Sequence, residues 1–129
     1  MLVGRQTLQQ QQLESVSLEL VADLYWLQQV SINNGSSTIS YILQFNQDQP
    51  CGYYIKANTQ VIKQNVFPEN IRLYMSYPAI AFGISGSPLR GAQTISLQSN
   101  KLNLWKYVVV APVTGRIRIS NTLPQTGEY

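Results

Sequence analysis

The chain has 129 residues, of which 44% are apolar and 12% charged, a length that supplies one domain with a real core and is too short for two ordinary ones. The charge is +3, from nine basic and six acidic residues that form no polybasic run, so steering toward nucleic acid or anionic lipid is not expected. With no histidine and one cysteine, the imidazole-dependent triads, imidazole and thiolate metal sites and an internal disulfide are all excluded.

In chain order, Met1–Glu14 reads as an extended arm. Leu2, Val3, Leu8 and Leu13 are scattered around the glutamine run Gln9, Gln10, Gln11 and Gln12. Such a segment either stays disordered or orders against another subunit. From Val16 to Ile32 the even positions are apolar (Val16, Leu18, Leu20, Ala22, Leu24, Trp26, Val30, Ile32), broken only by Gln28, while the odd ones are mainly polar. Period two predicts a strand with one wet face. A helix within 9–28 is the competing prediction, because Leu13, Val16, Leu20, Leu24 and Leu27 also share one helical face. As a strand the segment would span more than about 50 Å and would have to bend near Ala22–Asp23 or pair with a neighbouring chain.

Asn33–Ser37 has hairpin-loop chemistry, with Asn and Gly supplying positive φ. Strands are predicted over Thr38–Phe45, Tyr53–Ala57, Thr59–Phe67, Ile71–Tyr77, Ala79–Ile84, Ala92–Gln98 and Arg116–Ser120. The strongest lies in Leu102–Val113, where Trp105, Tyr107 and three valines suit a pleated surface covered on both faces from Val108 onward. About eight short strands separated by turns predict an all-β fold: a single antiparallel β-sandwich, jelly-roll-like or Greek-key, with a small β-barrel as the alternative. The expected organisation is an arm over 1–14, a β domain over 15–120 and a polar tail over 121–129.

No catalytic, cofactor-binding or metal site is expected. Glu19 and Asp23 would be solvated charges on the wet strand face, and Ser85–Gly91, Gly-rich but between strands, is a plain loop rather than a phosphate cradle. Cys51 is expected as a small buried side chain. No apolar run reaches the roughly 18–20 residues of a membrane span, and Met1–Gln9 lacks a signal-peptide core, so a soluble chain is expected. Arg116 and Arg118 flank Ile117 on one strand, and with exposed tyrosines they could form a basic, aromatic face for single-stranded nucleic acid. Tyrosines in β proteins more commonly pack at sheet surfaces, so this partner is not favoured.

Leu123–Gly127, LPQTG, resembles the sorting motif of proteins anchored to Gram-positive walls, but no apolar span or basic tail follows, and chance explains the match. In general character the chain resembles the small all-β virion proteins of tailed phages, the capsid decoration, cement and adaptor proteins. That resemblance implies a non-enzymatic, homo-oligomeric assembly protein located in the virion. It would bind neighbouring virion proteins through the arm (Leu2, Val3, Leu8, Gln9–Gln12, Leu13) and through sheet edges. The alternative is a receptor- or carbohydrate-binding module of a fibre or adhesin at the cell surface, using Tyr53 and Tyr54.

Overall fold

A computed structural model describes residues 2–33 and 39–125, with side-chain environments given from Leu8 onward. The element order is one helix, α1 (Leu2–Asn33), followed by β1 (Tyr41–Asn46), β2 (Gly52–Ala57), β3 (Gln60–Val66), β4 (Ile71–Tyr74), β5 (Ala79–Ile80), β6 (Gln93–Ser99), β7 (Leu104–Val110) and β8 (Ile117–Ser120). The protein is therefore mostly β, with two antiparallel sheets and an N-terminal helix.

The helix corrects both the expected arm over 1–14 and the expected strand over 16–32. Apolar residues at 13, 16, 20, 24 and 27 fall on one side of a 3.6-residue helix, and all five are buried. The even-numbered series that suggested a strand is split by the helix. Leu20 and Leu24 are fully buried, whereas Leu18 is 53% and Trp26 42% exposed. The helical alternative was right in kind, but the helix runs 32 residues, or about 48 Å at ~1.5 Å per residue. The hairpin predicted at Asn33–Ser37 is corrected on its first side, since a helix precedes it; residues 34–38 lie outside the described residues.

The strands match the sequence closely. One sheet has the order β3-β2-β1-β5 and the other β4-β6-β7-β8, and every strand pairing is antiparallel. β7, the strand of the valine run, sits inside its sheet between β6 and β8, buried at Val108–Val110 as expected. β6 alternates buried and half-buried along its whole length, the pattern of a strand with one face on the core.

The helix contacts both sheets: β1 of the first, and β6, β7 and β8 of the second. Its buried stripe joins Leu43 and Ile55 of one sheet to Ile71, Ile95, Leu97, Val108 and Val110 of the other in a single core. Fully burying a leucine is worth roughly 1.5–3 kcal/mol, so Leu20, Leu24 and Leu27 are principal anchors of the helix. Cys51 is buried beside this core, its thiol donating to the Gln47 carbonyl oxygen at 3.3 Å.

Candidate assembly surface

A helix apolar on one side only would be finished once that side is packed. α1 also carries apolar side chains on the other, among glutamines, serine and two glutamates. Opposite its buried stripe, Leu18 and Ala22 occupy the middle of the outward face, with Leu8 and Trp26 along one flank and Tyr25 and Ile32 along the other. Only Glu14 and Glu19 bring carboxylates to the exposed positions between Leu8 and Asn33, and no lysine or arginine lies in that stretch. Beside Trp26, whose ring meets Tyr41 edge-on at 5.8 Å, a pocket of about 330 Å³ opens between helix and sheet, lined by Asp23, Ile55, Ile62 and Lys63.

Polar contacts hold this face in a fixed orientation. Near the N-terminal end, Gln9 is buried and its Oε1 accepts a hydrogen bond from the Asn70 amide. At mid-helix, Asp23 is buried and accepts from the Tyr53 hydroxyl, while Lys63 Nζ donates to its other carboxylate oxygen at 2.6 Å. Asn65 donates to the same tyrosine oxygen at 3.1 Å, and Glu19 stands 3.9 Å from the lysine nitrogen. Burial and the hydrogen bond to the Asp23 carboxylate push the Tyr53 phenol above its ordinary value, keeping it a neutral donor.

Toward the C-terminal end, Gln28 sends its side-chain amide between two loops, donating to the carbonyl oxygens of Gly86 at 2.8 Å and Gly115 at 2.9 Å. Gly115 has φ of +69°, and any Cβ there would collide with Gly86 and with the Gln28 amide, so this junction requires glycine. The residue that broke the apolar alternation in the sequence is thus the one that ties the helix to both loops.

The residues expected to bind partners scatter. Leu8, Gln10 and Gln11 are exposed on the helix; Gln12 is half-buried; Gln9 and Leu13 face inward, Leu13 as part of the core. Leu2 and Val3 are helical in backbone, with side chains outside the described set. Tyr53 is corrected from a contact residue to a core residue, because its position in β2 points at the helix; Tyr54, next along, faces outward with Lys56 lying 5.6 Å over its ring. Asp23 is corrected from a solvated charge to the buried acceptor for Tyr53 and Lys63. Of the LPQTG stretch, Leu123–Gln125 are described and the last two residues are not. The residues missed in sequence were Leu18, Ala22, Tyr25 and Trp26. Their signal was the seven-residue spacing of Leu18, Tyr25 and Ile32, two helical turns apart.

A long N-terminal helix laid across antiparallel sheets, with its far side apolar and uncovered, defines a class of fold built around a helix with two apolar faces. Among solved structures, the chain is similar to the crystal structure of the type IV minor pilin FimU of Pseudomonas aeruginosa strain PAO1. The TM-score is 0.70 at 15% identity, over 86% of this chain and 90% of that one. No family model matches the sequence, and no curated protein matches it. The likeness overturns the expected phage decoration or cement protein and the virion location.

Proposed function

We propose that this chain is a pilin-like subunit of a cell-surface filament, acting by binding rather than catalysis and assembling with other pilin-like subunits through the outward face of α1. The observation that carries this is the second apolar face. Several large apolar side chains exposed together on one surface mark a contact site, and α1 has its own sheets on one side only. Leu18, Ala22 and Trp26 await a cover of similar character. The fold likeness to a type IV minor pilin suggests the kind of cover, another pilin-like subunit. The low charge of the helix removes repulsion between stacked copies, and the pocket beside Trp26 suits one apolar side chain from a neighbour.

The test is a pair of surface variants, Leu18→Glu and Ala22→Glu, expressed in the source organism and in purified form. Both side chains are exposed, so both variants should fold with wild-type circular dichroism. Each should disappear from the sheared surface-filament fraction and lose copurification with the organism's pilin-like subunits. Full incorporation of both variants, or a wild-type chain that never enters that fraction, would refute the proposal.

A further inference from the structure

The outer face of the β4-β6-β7-β8 sheet is chemically unlike the rest of the surface. Register places Tyr74 of β4 and Trp105 and Tyr107 of β7 on the side of the sheet away from the helix. Their rings form a column: Trp105 and Tyr107 are parallel within 4° at 6.0 Å, and Tyr74 adjoins Trp105 at 5.7 Å. Arg72 stands two residues before Tyr74 on the same face of the edge strand. Arg118 of β8 lies opposite Val109 and so shares that face beyond Tyr107. None of the four strands contains an aspartate or a glutamate; between Arg72, Tyr74 and the β7 rings the face carries Ser96 and Gln98, and between Tyr107 and Arg118 it carries the buried Val109.

We infer that this face binds single-stranded nucleic acid, an activity beyond filament assembly. The aromatic column offers π-faces and edges for unpaired bases, with Tyr74, at 45% exposure, as the accessible end. Arg72, level with Trp105, and Arg118, level with Val109, supply cations for the phosphates; three strand spacings of ~4.8 Å and four residues of ~3.3 Å along the strand separate them by roughly 20 Å. The charge of the strands is one-sided, which favours an anionic ligand; a neutral sugar would take hydrogen bonds but no charge attraction from the arginines, and a duplex would not present its bases to the rings. The other sheet does not match this. Its outward face has one tyrosine, Tyr54, beside one lysine, Lys56. The sequence disfavoured this partner because no basic run exists. The register of β4 against β6 and β7 brings Arg72 within reach of rings more than thirty positions away.

The experiment is fluorescence anisotropy of a labelled thymidine 15-mer titrated with the full chain at 50 mM and at 200 mM salt. Saturable binding is expected at low salt, with a log–log salt slope near −1.4 for two phosphates at about −0.7 each. Tyr74→Leu and Trp105→Ala should each weaken binding five-fold or more, and Trp105→Phe, which keeps the core of the column, should restore most of it. Arg72→Gln should weaken binding and reduce the slope by about 0.7. Lys56→Gln, on the opposite sheet, should change neither. The inference is overturned by absence of binding at 50 mM salt. It is overturned equally if Tyr74→Leu has no effect while Lys56→Gln weakens binding as much as Arg72→Gln, which would mark diffuse charge attraction. Binding of a neutral oligosaccharide, lost in Trp105→Ala, with none of the oligonucleotide, would assign the face to sugars instead. Filament incorporation is read separately on the Leu18→Glu chain, so either proposal can fail without the other.

Discussion

Asp23 shows how much a single side chain depends on the element that holds it. On a strand it would be a wet carboxylate; on the inner flank of α1 it is the buried acceptor for Tyr53 and Lys63. The Tyr53 phenol is held above its ordinary value by burial first and by Asp23 second, so the folded state retains a proton that the unfolded chain loses above pH of about 10. Its contribution to stability is thus fully present below that pH and falls as pH rises past it. In Tyr53→Phe, the decline of the urea midpoint above pH ~10 should be shallower than in wild type; an unchanged slope would show that other groups govern that limb. Gln28→Ala removes two hydrogen bonds and leaves two carbonyls facing a void. It should cost about 2–3 kcal/mol, read from the same urea curves. Gln28→Glu should be no better, since its carboxylate would oppose the Gly86 and Gly115 oxygens.

At the scale of elements, the decisive ambiguity was α1. Residues 16, 18, 20, 22, 24 and 26 are apolar because the helix needs apolar groups on two sides, and two helical stripes laid over one another imitate alternation. Period two and a doubly apolar helix cannot be separated by pattern alone in such a stretch. Length was the better guide: a strand of more than about 50 Å is too long for so small a domain, whereas a helix of that size is ordinary for one that crosses two sheets. The two stripes predict opposite mutational behaviour. Leu24→Ala should cost about 2–5 kcal/mol, while Leu18→Ala should stay within about 0.5 kcal/mol of wild type by thermal or urea melting. Comparable losses at both positions would mean that the outward face is already packed in the isolated chain. The eight strands were legible because their alternation is interrupted by Pro, Gly and Asn at nearly every turn, and each spans one pleated face rather than two.

For the molecule as a whole, the sequence showed a β-rich domain but misread its N-terminal segment, taking one helix for an arm and a strand. The arm was not an arm, because Gln9 and Leu13, which looked like loose ends, are buried, Leu13 in the core and Gln9 against Asn70. The aromatic column was invisible for a different reason. Tyr74 and Trp105 are brought together by β6, the strand between their own, and no local pattern announces a partner at that separation. The expected consequence of the one-body core is cooperative melting: circular dichroism of the helix and fluorescence of Trp26 and Trp105 should give coincident transitions. A helix signal lost earlier than the tryptophan signal would show that α1 detaches from the sheets on its own.

The outermost strand of the first sheet, β3, has all but one of its seven residues exposed, with Val61, Ile62 and Val66 among them, and one edge unpaired. Left plain, it would be a template for amyloid-like growth, one chain adding to the next through main-chain amides. Two details discourage that. A register shift opposite Ile55 and Lys56 bends the ribbon, and the ammonium of Lys63 is drawn inward to Asp23. The same ion pair that orients the helix therefore acts as a gatekeeper against edge-to-edge growth. Lys63→Val should shorten the lag before thioflavin-positive fibrils form under agitation. If the lag is unchanged, the bend alone keeps the edge silent.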